Sequence, residues 1–179
     1  MTEQELIKGC IQNNQYHQRL LFEKHAGKMM SVCLRFTNNE QDAQDILQEG
    51  FIKVFDYIHQ FKFEGNFEGW MRRVFVSIAT RKLRKRKLAF SDIDKEEIEE
   101  ITIRPSIVSK LSEDEIHQLI RTLPDGYRTI FNLNIIEGYS HEEIATMLGI
   151  QPTTSRTQLL KARKLLQALI AKQHNLIVL

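Results

Sequence analysis

The residue types that could carry out chemistry are sparse in this 179-residue chain and do not form an enzymatic site. His141-Glu142-Glu143 begins like the zinc-binding motif of a metalloprotease, but Ala145 occupies the position of the second histidine. The six histidines are scattered, and neither a phosphate-binding glycine loop nor a nucleophile elbow occurs. The sequence therefore predicts no catalytic residue, metal site, cofactor or small-molecule substrate.

A second set of side chains is suited to binding nucleic acid. Between Gln151 and Leu179 the chain carries five basic residues and no acidic one. The side chains that could reach base edges are Thr153, Thr154, Ser155, Arg156 and Gln158. Those placed further along for phosphate contacts are Lys161, Arg163 and Lys164. Whether Arg156 contacts guanine or only phosphate stays open at this stage.

The element that must position these residues is a helix-turn-helix. Ser140 and Glu143 form a capping box that starts its first helix. Gly149 permits the turn, and Pro152 suits the first position of the second helix, which we expect to present residues 153–158 outward. An ordinary helical hairpin is the alternative interpretation.

A second basic block, Trp70 to Lys87, contains eight Lys or Arg residues and no acid. Leu88 to Arg104 then has six acids and two bases. Two basic blocks separated by an acidic stretch predict two polyanion-binding surfaces joined by a repelling segment. The net charge of +2 is uninformative beside this distribution.

An aromatic loop, Phe61 to Phe67, precedes the first basic block. An aromatic loop next to arginines suits stacking on unpaired bases and binding of phosphates. The alternative is that Phe67 and Trp70 belong to a hydrophobic core.

Few glycines and prolines, many helix formers and apolar residues at helical spacing predict an all-α fold. We expect two small helical domains, 1–89 and 111–179, joined by a flexible acidic linker, 90–110. Helices are predicted at the positions 3–12, 15–35, 40–60, from 66 onward, 113–122, 126–137 and 140–148. Cys10 and Cys33 lie in apolar stretches and are expected to be buried free thiols. The polar, acidic start and the lack of a long apolar run predict a cytoplasmic protein.

Three segments resemble the sigma-70 family, specifically its extracytoplasmic-function (ECF) group. Asp42 through Phe55 (DAQDILQEGFIKVF) is similar to the family's polymerase-binding helix, and Phe67 through Arg73 (FEGWMRR) to its promoter-melting helix. Leu123 through Leu165 is similar to its second DNA-binding domain. Ser77 and Arg81 depart from the family pattern, as does Gln151, a poor N-cap. These departures concern promoter preference and leave the class unchanged.

The resemblance implies a function in promoter-specific transcription initiation, with core RNA polymerase and promoter DNA as partners and an anti-sigma factor as a further partner. It places Asp45, Gln48 and Glu49 against polymerase, although an acidic helix face is also a common solvated surface. It implies that the −10 element is bound by Phe61, Phe63, Asn66, Phe67, Trp70, Arg72 and Arg73, with Arg81 and Lys82 in the same basic helix. It implies that Arg156 and its neighbours recognise the −35 element.

The alternative function is a stand-alone helix-turn-helix transcriptional regulator. It accounts for residues 140–164 but leaves the segments 42–55 and 61–73 without a purpose. Stable association with core polymerase would distinguish the two.

Overall fold

The computed structural model describes residues 1–85 and 111–173. Within these ranges every regular element is helical, which confirms the all-α prediction. Contacts divide the chain into two compact units, Met1–Lys82 and Leu83–Leu179. The predicted linker, 90–110, lies outside the described residues, so the predicted domain boundaries remain a prediction.

The first unit is built from four α-helices whose starts are fixed by polar caps. Thr2 and Glu5 form the predicted capping box, Asn14 accepts hydrogen bonds from the backbone of Tyr16 and His17, and Asn39 accepts one from Asp42. The elements are α1 Glu3–Ile11, α2 Gln15–Arg35, α3 Glu40–Tyr57, a 3-10 helix Ile58–Gln60 and α4 Phe67–Lys85. The helix predicted to run to residue 60 thus tightens into a 3-10 turn after Tyr57.

The core of the first unit lies where α2, α3 and α4 meet. Phe51 of α3 packs edge-on against Phe75 of α4, with ring centroids 5.4 Å apart. Gly50 makes this approach possible, because a Cβ atom there would lie 2.1 Å from the Phe75 ring. Cys33 is completely buried and Cys10 nearly so; both are free. Burial raises the pKa of Cys10 to about 11 and that of Cys33 to about 12, as expected for inert core thiols.

The second unit is a helical cluster around the buried side chains Ile120, Leu123, Tyr127, Ala162 and Leu166. Its elements are α5 Glu113–Thr122, α6 Asp125–Phe131, a π-helical segment Asn132–Ile136, α7 His141–Leu148 and α8 Pro152–Gln173. Ser112 and Glu115 form the predicted capping box of α5. The long α8 packs against α5, α6 and α7 and so holds the unit together.

The single helix predicted for 126–137 is wrong in its second half. After Phe131 the backbone widens into a π-helical turn, in which the Glu137 amide donates to the Asn132 carbonyl. Asn134 then donates from its side chain to the Tyr139 carbonyl at 2.8 Å. The widened turn inserts an extra residue per turn, a change that an apolar pattern over five residues does not reveal.

A buried arginine closes the α5–α6 turn. The Arg128 guanidinium donates to Asp125 at 2.8 Å and to the carbonyl of Arg121 at 3.2 Å. Burial lowers the pKa of Arg128, and the carboxylate of Asp125 opposes this effect. Arg128 is therefore a buried cation that stabilises the turn, and it is not exposed for DNA binding. Among the described helices none is long and apolar enough to span a bilayer.

Candidate binding surfaces

The predicted polymerase patch lies on the outer face of α3. Asp45 and Gln48 are exposed, and Ile52, one turn further along the same face, has 59% of its surface exposed. The spacing i, i+3 and i+7 places the three side chains in one row. Sequence analysis missed Ile52 as a site residue; the signal was an apolar residue lying off the buried stripe of the helix.

Glu49, the third residue of this patch, already forms ion pairs within the first unit. It forms an ion pair with Arg81 of α4, and its second carboxylate oxygen lies 3.5 Å from Nζ of Lys82. Glu49 is therefore half-buried beside the basic helix, and it neutralises part of the charge of two predicted DNA-binding residues. The predicted polymerase patch and the predicted −10 helix thus share a contact that the spacing of the two segments did not indicate.

The aromatic loop has an inner and an outer side. Phe61 and Phe67 are buried, with ring centroids 5.1 Å apart, and Trp70 is half-buried and stacked on Phe67 at 5.6 Å. The resemblance implies that Phe61 and Phe67 take part in holding an unpaired base, but both rings are covered by other rings. The core alternative considered for Phe67 is the one observed.

Phe63 is the ring that this cluster leaves open. It is 39% exposed, and its backbone adopts φ +59°, a left-handed conformation that is strained for a bulky residue. Asn66 is also exposed; its Oδ1 accepts from the amides of Glu68 and Gly69 and so caps α4. Local strain at an exposed aromatic residue is typical of a site held ready for a ligand.

One face of α4 forms a polar and basic ridge. Arg73, Ser77 and Arg81 are exposed, and they follow Trp70 at helical spacing, so that the indole lies at one end of a row of polar and positive side chains. Arg72, by contrast, is half-buried on the flank. We name the row Trp70–Arg73–Ser77–Arg81 the α4 ridge.

The helix-turn-helix forms as predicted. Ser140 and Glu143 complete a capping box at the start of α7. Gly149 has φ +71°, and its amide donates to the Ala145 carbonyl at 2.8 Å, which ends α7 and turns the chain into α8. Ile144, Ala145 and Leu148 form the buried face of α7.

The first two turns of α8 expose only part of the predicted set. Thr153, Arg156 and Thr157 are exposed and Thr154 is half-buried. Ser155 and Gln158 are buried, at 0% and 5%, so the prediction that they face outward is wrong. They lie on the stripe that continues through Leu159 and Ala162 into the core. Beyond them Arg163 is exposed, Lys161 and Lys164 are half-buried, and Leu160 is 55% exposed.

Two residues at the start of α7 hold the start of α8. Nδ1 of His141 lies 2.8 Å from Oγ of the buried Ser155. The carboxylate of Glu142 accepts from Nη2 of Arg156 at 2.5 Å. Sequence analysis missed both contacts, because the two residues of each pair lie 14 positions apart in the chain. The described residues contain no cluster of His, Cys, Asp or Glu suited to a metal ion.

Comparison with protein families matches both units. Residues 21–88 match the sigma-70 region 2 family, and residues 113–166 match the sigma-70 region 4 family. The first match contains α3, the aromatic loop and the α4 ridge, and the second contains the helix-turn-helix.

Individual proteins match along most of the chain. The RNA polymerase sigma-H factor of Pseudomonas aeruginosa is 30% identical over 175 residues, which cover 90% of each chain. The ECF RNA polymerase sigma factor SigW of Bacillus subtilis is 31% identical over 152 residues, 78% of this chain and 81% of SigW.

Solved structures share the fold. The sigma factor RpoE of Bartonella quintana, in complex with the anti-sigma factor NepR, superposes with a TM-score of 0.51 at 20% identity, over 85% of this chain and 95% of RpoE. CnrH, in complex with the cytosolic domain of CnrY, gives 0.50 at 20% identity, over 93% of this chain and 96% of CnrH. The two family matches and the near full-length relatives together establish that this chain belongs to the sigma-70 family, in its ECF group.

Proposed function

We propose that this sigma factor brings core RNA polymerase to a promoter through three surfaces that lie in two separately folded units. As a member of its family the chain directs promoter-specific transcription initiation. The observation that carries the assignment of surfaces is the helix-turn-helix, whose second helix exposes Thr153, Arg156 and Thr157 in its first two turns. In such motifs these turns enter the major groove and contact base edges.

The −35 element is the target of this surface. Arg156 offers donors suited to guanine, and the two threonines offer hydroxyl and methyl groups. Arg163 lies two further turns along α8, where a helix leaves the groove and passes the phosphates. Ser155 and Gln158 support the helix from the core side.

The −10 element is bound by the first unit. Phe63 and Asn66 form the outer side of the aromatic loop, and the α4 ridge continues from it with positive side chains. An exposed ring can stack on an unpaired base, which contributes about 1–3 kcal/mol per base. Arg73 and Arg81 are placed to bind the phosphates of the separated strand.

Core polymerase docks on α3 through Asp45, Gln48 and Ile52. Charged residues around an exposed apolar side chain are typical of an interface in which the apolar group is the anchor. Sigma factors are in general initiation factors without catalysis of their own; we extend this to the present chain and place it in the cytoplasm, where polymerase works. RpoE of Bartonella quintana, solved in complex with the anti-sigma factor NepR, supports an anti-sigma factor as a further partner of this chain.

The test is transcription by core polymerase from a promoter library, with the wild-type protein and with Asp45→Lys. We expect the wild type to select a set of promoters and Asp45→Lys to weaken core binding at least tenfold, since it reverses a charge at the docking surface. The control is Glu23→Lys on α2, which makes the same change of charge on another helix. Normal core binding by Asp45→Lys would contradict the docking surface, and a library without selected promoters would contradict the function.

A further inference from the structure

We propose that Glu142, the second residue of α7, is a positioning residue that orients Arg156 for a base contact in the −35 element. The proposal rests on the proposed function of α8 and adds a residue from the other helix of the motif. Its basis is the hydrogen-bonded ion pair between the Glu142 carboxylate and Nη2 of Arg156.

The geometry leaves the guanidinium able to bind DNA while it is held. An arginine has five N–H donors, and the observed contact from Nη2 uses one side of the fork. Four donors remain, on Nε, on Nη1 and on the second N–H of Nη2, and they can still be presented to guanine. A carboxylate on the flank therefore acts as a support that fixes the direction of the guanidinium.

Both partners lie at the surface. The side chain of Arg156 is 53% exposed and that of Glu142 is 63% exposed. An ion pair of this exposure adds little to fold stability. The ion pair matters more for DNA binding, because arginine is a long side chain with many rotamers. A guanidinium that is already held in its bound orientation loses less conformational freedom when the base contact forms.

The support is part of a wider attachment between the two helices. His141, the neighbour of Glu142, contacts the buried Ser155, the neighbour of Arg156. The first turn of α7 therefore contacts both a buried side chain at the start of α8 and the exposed side chain next to it. A negative charge at a DNA-binding surface is unfavourable towards phosphates. The opposing benefit that we assign to Glu142 is base discrimination.

The experiment measures base preference at each −35 position, by binding holoenzyme to a pool of promoters and sequencing the bound fraction. The variants are Arg156→Ala, Glu142→Gln, Glu142→Ala and the double variant Arg156→Ala/Glu142→Ala. Asp114→Asn on α5 removes the same charge from an exposed position elsewhere in the second unit and is the matched control for Glu142→Gln.

We expect Arg156→Ala to remove the preference at one or two positions. Glu142→Ala should reduce the preference at those same positions by about two- to fivefold, the range that exposed ion pairs span. Glu142→Gln should reduce it less, because the amide oxygen still accepts a hydrogen bond. Both Glu142 variants should bind non-specific DNA more tightly than wild type, and the double variant should resemble Arg156→Ala alone.

Unchanged preference in Glu142→Ala would overturn the proposal, and so would an equal change at all positions or a further loss in the double variant. A wild-type holoenzyme with no preference anywhere in the −35 block would overturn the proposed −35 recognition itself. If Arg156→Ala left the base preference at every −35 position intact, Glu142 would have no base contact to position. This result would overturn the inference and would leave the promoter function standing.

Discussion

His25 is a buried histidine in the core of the first unit. Its ring lies edge-on to Phe67, with centroids 6.1 Å apart, and within the described residues neither ring nitrogen has a hydrogen-bond partner. Burial lowers the pKa of His25, and the positive charges of Lys24 and Lys28 lower it further. The carboxylate of Glu68 opposes this effect. The folded protein therefore holds this imidazole neutral under conditions where an exposed imidazole takes up a proton.

We predict that His25 makes the folded state sensitive to acid. The unfolded chain has an imidazole pKa near its ordinary value of about 6.5, above that of the folded state. Because the unfolded chain takes up this proton first, the unfolding free energy is highest above about pH 6.5. It falls as pH decreases from there towards the folded-state pKa, with a slope of at most about 1.4 kcal/mol per pH unit. His25→Leu should flatten the fall of the unfolding free energy between pH 7 and pH 5.

Urea denaturation at a series of pH values measures this effect. His59→Gln, at an exposed position of the 3-10 helix, is the control and should keep the wild-type slope. Identical pH dependence of His25→Leu and wild type would contradict the prediction.

The side chains of the site show what sequence alone decides and what it leaves open. Arg156 is charged and long, so its exposure in α8 followed from residue type. Ser155 and Gln158 differ, because a hydroxyl or an amide is tolerated in the core wherever packing or a partner such as His141 accommodates it. Whether these two side chains face the core or the solvent depends on how α8 is rotated about its axis, and a run of polar residues does not specify that rotation.

At the scale of the elements, the contact between α3 and α4 depends on the absence of a side chain at Gly50. The Phe75 ring occupies the space that a Cβ atom there would need. We predict that Gly50→Ala lowers the unfolding free energy by about 1–3 kcal/mol, the usual effect of overpacking. Gly27→Ala in α2 is the matched control, since nothing lies within 4 Å of the added methyl group.

Gly27→Ala should raise the unfolding free energy by about 0.5–1 kcal/mol, because alanine loses less backbone entropy in a helix. Chemical denaturation of both variants decides the matter. If the two substitutions changed stability alike, the close approach at Gly50 would not be limiting.

The aromatic loop should separate folding from promoter melting. Phe67→Ala removes a fully buried ring, and we expect it to lower the unfolding free energy by about 3–5 kcal/mol. Phe63→Ala should change it by about 1 kcal/mol or less and should instead slow the formation of open complexes on duplex DNA. A promoter with a pre-melted bubble should partly restore the rate of Phe63→Ala. An equal defect on both templates would assign Phe63 to folding.

The elements themselves were largely predictable, since their ends carry local signals. The capping boxes at Thr2, Ser112 and Ser140 all form, and Gly149 ends α7 as expected. Capping depends on residues three positions apart, so sequence contains it fully. The ion pair between Glu49 and Arg81 depends on how α3 and α4 pack. Neither this ion pair nor the π-helical turn at Asn132 has a local pattern in the sequence.

At the scale of the whole molecule, a single chain must serve two promoter elements. Each unit folds around its own core, and we propose that the first unit offers surfaces for polymerase and the −10 element while the second offers one for the −35 element. The predicted linker, 90–110, lies outside the described ranges, but its covalent length sets an upper limit on how far apart the two promoter-binding surfaces can be. About 20 residues span at most about 66 Å. DNA sites one and a half turns apart are separated by about 50 Å.

We therefore predict that the length of the segment 90–110 limits the use of both elements by one molecule. Deleting about ten of its residues reduces the greatest reach to about 33 Å, below the separation of the sites. The shortened protein should still bind core polymerase and initiate at a strong −10 element, but mutation of the −35 element should no longer reduce its initiation rate. Replacing the six acids of Leu88 to Arg104 by amides at unchanged length is the control, and it should preserve the −35 dependence while it tightens non-specific DNA binding. Full −35 dependence in the shortened protein would mean that other parts of the chain supply the reach.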